Sequence, residues 1–353
     1  MTQTALRIAT RQSPLALWQA EHVRERLQAL DPSARIELVP MVTDGDRWLQ
    51  APLSTLGGKD LFVKELERAL LDGHADIAVH SMKDVGAHLP DGLQMRSVLE
   101  REDPHDALVG QQGRAAVASL DAVPRDARVG TCSLRRRSQL LAQRPDLRIG
   151  MLRGNVNTRL ARLDADEHDV IVLAAAGLMR LELSHRIGSR LDPRHCLPAI
   201  GQGIIGIESR SDDPSTHALI DRLHHAPTAV RLAAERTVSR RLDGGCSAPL
   251  AGHATLAEGR MILRARVGSL DGSTLLEREA SIELPDEPAA ALEAATTLGD
   301  RVSQGLLDDG ARQLLADTAR QVADEAAALG VAPGAGQGAG QGVGQGTPAT
   351  DGA

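Results

Sequence analysis

Short apolar runs alternate with helical patterns along the first part of the chain, and this alternation restricts the possible folds more than any other feature. A strand is predicted at Leu6–Thr10, followed by a helix that Ser13 caps and Pro14 begins. Further strands are predicted at Ile36–Val42 and at the apolar residues Ile77–Val79. Strand–helix–strand alternation is typical of a parallel, doubly wound sheet, so we expect an α/β domain here.

The same pattern begins again after Pro104, which predicts a second α/β domain. Its predicted strands are Ala107–Val109, Arg128–Gly130, Leu147–Leu152 and Val170–Ala176, and its predicted helices are Leu134–Ala142 and Val156–Leu163. The apolar, glycine-rich segment Leu197–Glu208 is then expected to return the chain to the first domain. Two such lobes would enclose a cleft, as in periplasmic-binding-protein-like folds.

From about Thr228 the pattern predicts a small α+β domain. A helix (Ala229–Leu242) precedes alternating strands at Met261–Val267 and Leu275–Ile282, and a long Ala/Leu helix ends near Leu329. We therefore divide the chain into domain 1 (1–102 and 201–222), domain 2 (103–200), domain 3 (223–330) and a Gly/Gln-rich tail (331–353). The tail is low in complexity and is expected to be disordered.

The composition is that of an ordinary soluble protein and excludes several functional classes. Of the 353 residues, 42% are hydrophobic and 25% are charged, and the net charge of −7 offers no basic field for nucleic acid. No apolar run reaches the roughly 18 residues that a membrane helix needs. The first residues lack the apolar core of a signal peptide, so we expect a cytoplasmic protein. Three scattered cysteines predict neither a disulfide framework nor a metal cluster.

Polar residues follow the predicted strand at Ile77–Val79 without any spacer. They are His80, Ser81, Lys83 and Asp84. In open α/β sheets, ligands bind where strands end at their carboxyl edge. A carboxylate and an ammonium at such an edge can handle protons and hold an anion. The alternative is a surface loop with an ordinary Lys–Asp pair.

Three further turns place arginines close to predicted helix N-termini. They are Arg11 before Ser13, Arg135 and Arg136 after Ser133, and Arg153 and Arg159 around Asn155. Cations there oppose the helix dipole at about 0.3–1 kcal/mol each, so three cases after three strands suggest anions bound at those turns. No phosphate-binding loop is present, and arginine forks suit carboxylates, so we favour one ligand with several carboxylates. The alternative is solvated arginines in an arginine-rich chain.

Two compositional features single out individual residues. Cys246 follows Gly244 and Gly245 in a predicted loop, which suits a thiol that a partner must reach; the alternative for it, and our assignment for Cys132 and Cys196, is a small buried residue. Only three lysines occur among 40 basic residues, at positions 59, 64 and 83. Because an ammonium is a point charge and a guanidinium a planar fork, we hypothesise that the remaining lysines are those that arginine cannot replace.

The motifs in these turns resemble those of the porphobilinogen deaminase (hydroxymethylbilane synthase) family. They are RIATRQSPLALWQA (7–20), GGKDLFVKEL (57–66), DIAVHSMKD (76–84), GTCSLRR (130–136), LRGNVNTRL (152–160), LPAIGQG (197–203) and GGC (244–246). The match runs from about Leu6 to Leu315 and leaves out only the tail. So many long motifs in the same order leave little room for chance similarity.

The resemblance implies a three-domain, monomeric transferase of porphyrin biosynthesis with porphobilinogen as its substrate. It implies a dipyrromethane cofactor attached by a thioether to Cys246, onto which four porphobilinogens add, each with loss of ammonia. The linear product, hydroxymethylbilane, is released with water. Asp84 would be the catalytic carboxylate. The cofactor would be held by Ser81, Lys83, Thr131, Ser133, Arg135 and Arg136, and the substrate by Arg11, Ser13, Arg153, Arg159 and Gln202, the last at the domain crossing.

Two departures from the family pattern affect the loop before the second predicted helix. The family usually has a lysine near position 55, where this chain has Thr55, and Asp60 replaces the last glycine of the common GGKG. Asp60 can still cap a helix at Leu61–Leu71, but the loop carries less positive charge. Two alternatives therefore stay open: an inactive paralogue, and a non-enzymatic, two-lobed solute-binding protein, since fold alone does not decide function.

Overall fold

The computed structural model describes residues 5–43, 63–244 and 248–328. Within these ranges the strands form three separate sheets, two of five strands and one of three. The described residues do not include Thr55, Lys59, Asp60, Cys246 or the tail 331–353. The roles predicted for these four residues, and the disorder predicted for the tail, therefore stay predictions.

The first sheet has the order β2-β1-β3-β10-β4. Its strands are β1 (Leu6–Arg11), β2 (Ile36–Met41), β3 (Ile77–Ser81), β4 (Leu93–Val98) and β10 (Ile205–Arg210), and its helices are α1 (Pro14–Leu30), α2 (Lys64–Leu71) and α6 (Pro214–Ile220). Strands β1, β2 and β3 run parallel, as the strand–helix alternation predicts. Strand β10 runs antiparallel to both β3 and β4, because the chain re-enters this sheet from the second one. Strand β4 was not anticipated from the sequence.

The second sheet has the order β7-β6-β8-β5-β9. Its strands are β5 (Asp106–Gly110), β6 (Arg128–Gly130), β7 (Arg148–Gly150), β8 (Val170–Ala174) and β9 (Ser189–Arg190), and its helices are α3 (Leu134–Gln143), α4 (Val156–Asp164) and α5 (Ala175–Arg180). Parallel pairs join β6 to β7 and β8, whereas β5 is antiparallel to β8 and β9. Both sheets are thus mixed, with a parallel core and one strand that reverses the direction.

The C-terminal unit packs three helices against an antiparallel, three-stranded sheet. Its elements are α7 (Ala226–Arg241), β11 (Leu250–Ala257), β12 (Arg260–Gly268), β13 (Leu275–Glu283), α8 (Pro288–Asp308) and α9 (Ala311–Ala328). Strand β11 was not predicted, and the single long helix predicted here is wrong. It is interrupted at Gly310, whose φ of +96° is a left-handed conformation that a helix interior does not allow.

Two short segments, 99–105 and 197–204, carry the chain between the first two sheets. The backbone N–H of Glu102 donates to the carbonyl of Gly203 (3.1 Å), so the two segments lie side by side. Gly203 has φ +88°, and a Cβ there would lie 2.3 Å from the carbonyl oxygen of Glu102. Glycine is therefore required at this position both by backbone conformation and by close approach.

Candidate active site

Asp84 lies where β3 leaves the first sheet. The apolar residues of β3 are buried, and the chain then forms a single 3₁₀ turn, Met82–Asp84. Gly201 of the returning segment packs against this turn, since a Cβ there would lie 2.8 Å from that of Met82 and 3.3 Å from the amide nitrogen of Lys83. The turn is thereby held against the domain crossing, while Lys83 and Asp84 stay partly exposed.

An open cleft at the carboxyl edge of the first sheet contains four of the predicted site residues. Arg11, Ser13, Ser81 and Asp84 line it, together with Gln19. The Gln19 side chain is buried, and its Nε2 donates to Ser81 Oγ over 2.8 Å. The parallel strands β1 and β3 bring these groups together by ending at the same edge.

The predicted N-cap at Ser13 is confirmed, and Ser133 and Asn155 cap α3 and α4 in the same way. Ser13 Oγ accepts from Ala16 N (3.4 Å) at α1, Ser133 Oγ accepts from Arg136 N (3.4 Å) at α3, and Asn155 Oδ1 accepts from Thr158 N (2.9 Å) at α4. Each cap follows a strand end, so the N–H groups of each helix N-terminus lie at the carboxyl edge of a sheet. At α3, Thr131 Oγ1 also accepts from Ser133 N over 3.2 Å.

Arg153 and Arg159 lie close to Cys132. Arg153 is buried after β7, and Arg159 is partly buried on α4, where its Nε donates to the carbonyl of Gly154 (2.7 Å). Burial lowers the pKa of both guanidinium groups, and the nearby Cys132 opposes this shift. Arg159 lowers the pKa of Arg153 further, and Arg136 and Arg11 lower that of Arg159. The prediction that both cysteines are buried is wrong for Cys132, which is partly exposed, and confirmed for Cys196, which is fully buried. Two partly desolvated guanidiniums at one turn favour an anionic ligand.

Arg135 and Arg136 converge on a buried carboxylate, that of Asp106. Asp106 is fully buried at the start of β5 and accepts from Arg135 Nη1 (2.7 Å), Arg135 Nη2 (3.2 Å), Arg136 Nε (2.9 Å) and Arg136 Nη2 (2.7 Å). Burial alone would raise the pKa of Asp106, but the two guanidiniums hold it far below its usual range. Asp106 is therefore a permanent anion under the N-terminus of α3.

Gln202 is fully buried at the domain crossing. Its Nε2 donates to the carbonyl of Pro104 (2.6 Å) and to Asp106 Oδ1 (3.2 Å), and its Oε1 has no partner among the described residues. The predicted substrate residue Gln202 thus lies behind the arginine pair, where it joins the two crossing segments.

Lys83 belongs to the same electrostatic cluster. Burial lowers its pKa to about 8; Asp84 opposes this shift, and Arg136 and Arg159 add to it. The cationic groups of β3, α3 and α4 thus lie close enough to influence one another across the two sheets. An anion placed among them would restore the pKa of Lys83 toward its usual value.

Sequence reasoning missed Gln19, Asp106 and Glu208 as functional candidates. It named His80 but did not predict that His80 pairs with Glu208. His80 lines the cleft, and its Nε2 lies 2.8 Å from Oε2 of the fully buried Glu208 on β10. One signal was available for Gln19, because it lies four residues from both Leu15 and Val23 on the apolar side of α1. No such signal marked Asp106, because the burial of Arg135 and Arg136, which requires a counter-charge, is visible only in the structure.

The described ranges contain no helix that is long and apolar enough to cross a bilayer. Across the same residues, no group of three or more His, Cys, Asp or Glu side chains is arranged to hold a metal ion.

Comparison with solved structures finds likenesses of low sequence identity and low TM-score. The periplasmic VFT2 domain of BvgS from Bordetella pertussis is 16% identical over 62% of this chain and 86% of that one, with a TM-score of 0.38. The aliphatic sulphonate binding protein SsuA from Escherichia coli is 14% identical over 67% and 74%, with a TM-score of 0.36. An ancestral arginine-binding protein bound to glutamine is 13% identical over 63% and 91%, with a TM-score of 0.34.

Two family models match consecutive parts of the chain and together cover most of it. The model of the porphobilinogen deaminase dipyrromethane cofactor binding domain matches residues 6–218. The model of the porphobilinogen deaminase C-terminal domain matches residues 229–308. The chain belongs to the porphobilinogen deaminase family.

Proposed function

We propose that Asp84 is the catalytic carboxylate of this transferase and that the cations around it hold the cofactor and substrate carboxylates. As a family member, the chain joins four porphobilinogens, with loss of ammonia, into hydroxymethylbilane on a dipyrromethane primer. The observation that carries the assignment is the position of Asp84: it shares one cleft with Arg11 and one charged cluster with Lys83 and Arg159.

The charge of the site fits the dipyrromethane cofactor. Its cations are Arg11, Lys83, Arg135, Arg136, Arg153 and Arg159, and its carboxylates are Asp84 and Asp106. The formal excess of four positive charges suits a site that receives the carboxylates of both cofactor and substrate, because each pyrrole unit has an acetate and a propionate. Such a balance lowers the cost of burying the guanidiniums.

The cofactor contacts are proposed for Ser81, Lys83, Thr131, Ser133 and Arg136, with Arg135 supporting Arg136 in the same cluster and Cys246 as the covalent anchor. Thr131 and Ser133 support this assignment because each hydroxyl oxygen accepts a backbone N–H, which leaves the hydroxyl proton to donate to a carboxylate. When bound, the cofactor supplies a terminal pyrrole with a free α-carbon as the nucleophile.

The substrate contacts are proposed for Arg11, Ser13, Arg153 and Arg159, with Gln202 supporting them from the crossing. The guanidiniums orient porphobilinogen through its acetate and propionate, which places its aminomethyl group near Asp84. Asp84 then accepts a hydrogen bond from the pyrrole N–H while the C–N bond of the protonated aminomethyl group breaks and ammonia leaves, and its negative charge stabilises the resulting azafulvene cation. Asp84 would also accept the proton that is released once the new C–C bond has formed, and could pass it to the departed ammonia.

The domain limits 1–102 with 201–222, 103–200 and 223–330 remain predictions; the membership of the three sheets supports them. A cytoplasmic, monomeric enzyme that binds neither nucleic acid nor membrane is likewise proposed; the net charge of −7 supports the part of this that concerns nucleic acid.

The intact mass of the purified protein tests the cofactor, and the product formed from porphobilinogen tests the activity. The chain should be heavier than its sequence by two porphobilinogen units less their ammonias, and it should release one ammonia per porphobilinogen consumed. Cys246→Ser should lose the added mass, while Cys132→Ser and Cys196→Ser should keep it. An unmodified mass in an active preparation would contradict the proposal. Added mass without turnover would indicate an inactive paralogue, and binding without consumption a solute-binding protein.

A further inference from the structure

We propose that Asp106 is a positioning residue that gives the adjacent arginines different roles: Arg136 binds a ligand carboxylate, and Arg135 acts only through Asp106. This inference rests on the proposed function, because the ligand carboxylate in question is one of the cofactor's. It would revise the sequence-based expectation that both arginines contact the cofactor.

Neighbouring residues on a helix point about 100° apart, so Arg135 and Arg136 do not share a direction by default. Their two guanidinium groups nevertheless meet at the carboxylate of Asp106. Both carboxylate oxygens of Asp106 accept hydrogen bonds from Arg135, and Oδ1 also accepts two from Arg136. One carboxylate between two guanidiniums leaves a single uncompensated positive charge, which is the charge that one ligand carboxylate would neutralise.

The contacts of Arg135 turn it away from the cleft. Its Nη1 group has two protons, and these are directed to Asp106 Oδ2 and to the carbonyl of Leu197, each at 2.7 Å. The same nitrogen lies 3.6 Å from Sγ of the fully buried Cys196. Gln139 lies next to Arg135, and its Nε2 donates to the same Leu197 carbonyl over 3.1 Å. Arg135 therefore stabilises the contact between α3 and the returning segment 197–204.

Arg136 faces the other side. Its Nη1 donates to the carbonyl of Val172 (2.9 Å), and Nη1 and Nη2 each carry a second proton beyond the bonds described above. Burial is the main cause of the lowered pKa of both Lys83 and Arg159, and Arg136 adds to it in each case. Arg136 is thus close to the two cations that belong to the proposed ligand site.

Asp106 is itself fixed by more than the arginines. Gln202 donates to its Oδ1, and the thiol of Cys196 lies 3.3 Å from its Oδ2. Because Gln202 also binds the Pro104 carbonyl, the crossing segments set the place of the carboxylate and, through it, that of Arg136.

Charge-balanced double variants test this division, with cofactor loading by intact mass as the readout and thermal unfolding as the check on folding. We expect Asp106→Asn to lose most of the added mass, because two guanidiniums are left without their shared anion. The double variant Asp106→Asn/Arg135→Gln restores the single excess charge and keeps Arg136, so it should regain at least half of the loading. Its matched control, Asp106→Asn/Arg136→Gln, has the same net charge and should stay unloaded.

Charge-conserving variants keep the test decisive where Asp106→Asn does not fold. Arg135→Lys should retain the added mass and lose mainly thermal stability, whereas Arg136→Lys should lower the loaded fraction at least tenfold and slow the regain of mass from porphobilinogen. Equal loading of the two double variants, or equal loss in the two lysine variants, would overturn the inference. A wild-type protein without added mass would instead overturn the proposed function.

Discussion

Arg101 and Glu235 form a buried ion pair that joins the first crossing segment to helix α7. Arg101 Nη1 lies 2.5 Å from Glu235 Oε1, and both side chains are almost completely excluded from solvent. Glu235 also accepts from the backbone N–H of Gly201 (2.8 Å) and of Ala254 (2.8 Å). One carboxylate on the C-terminal unit therefore holds both segments that connect the two sheets around the cleft.

We expect Glu235→Gln to lower the free energy of unfolding by about 3–5 kcal/mol, because it leaves Arg101 as an unpaired buried charge. Although burial alone would raise the pKa of Glu235, Arg101 and His253 lower it to about 2. Because the pKa of Glu235 is lower in the fold than in the unfolded chain, its ionised form stabilises the fold above about pH 4.5. This stabilisation is lost as the pH falls from about 4.5 to about 2. Urea unfolding between pH 7 and pH 3 measures both effects.

The exposed pair of Glu325 with Arg137 (3.1 Å) provides the control. Glu325→Gln should cost no more than about 1 kcal/mol, since exposed ion pairs contribute little. If Glu235→Gln and Glu325→Gln lowered the free energy of unfolding equally, the burial of the Arg101–Glu235 pair would make no difference to the cost of breaking it.

Asp84→Asn should fold and carry the cofactor, yet lose turnover by a factor of about 10²–10³ or more. The neutral amide keeps the shape of the side chain but cannot balance the azafulvene cation. Turnover with porphobilinogen and intact mass are measured together. Asp91→Asn removes an exposed carboxylate from the same part of the chain and should leave both unchanged. An Asp84→Asn protein with half the normal rate would remove Asp84 from the mechanism.

The parts of the site that depend on local sequence were predictable. Ser13, Ser133 and Asn155 cap helices after strands, and both a cap and a strand end are recognisable within a few residues. Gly310 carried a similar local signal, since Asp309-Gly310 is a turn dipeptide inside an otherwise helical pattern.

The missed parts depend on pairings between distant positions. His80 and Glu208 lie 128 positions apart, and Asp106 lies 29 positions from Arg135, so neither pair is visible in a local pattern. Strand β10 joins the first sheet antiparallel for the same reason: its direction is set by where the chain returns from the second sheet. A single sequence predicts which residues are chemically unusual more readily than which of them meet.

Gly203→Ala should lower the free energy of unfolding by more than about 2 kcal/mol. A left-handed φ costs a residue with a Cβ about 1 kcal/mol or more, and here the Cβ would also meet the Glu102 carbonyl oxygen at 2.3 Å. Gly73→Ala separates the two causes, because Gly73 has φ +70° and no atom lies within 4 Å of the place that its new methyl group would take. Thermal or urea unfolding of the pair is the measurement, and equal losses would show that the close approach adds nothing.

Lys83 should give the cofactor-free protein a distinctive pH dependence. Its pKa is about 8 in the fold against about 10.5 when unfolded, so the unfolded chain binds more protons between these values. The free energy of unfolding should therefore rise from pH 8 to pH 10.5, by at most about 3 kcal/mol. The measurement compares Cys246→Ser, which cannot anchor the cofactor, with Cys246→Ser/Lys83→Met. A difference between them that does not change with pH would contradict the lowered pKa.

Lys83→Arg should strongly lower turnover or cofactor loading, whereas Lys64→Arg should not. Lys83 shares its surroundings with Asp84, Arg136 and Arg159, where a compact ammonium reaches one carboxylate oxygen and a planar guanidinium would be bulkier and compete with the existing forks. Lys64 is exposed at the start of α2, so either cation is solvated there and the change should stay within about 0.5 kcal/mol in stability. Turnover and intact mass of both variants decide the matter. Identical behaviour would mean that the scarcity of lysine in this chain carries no information about its site.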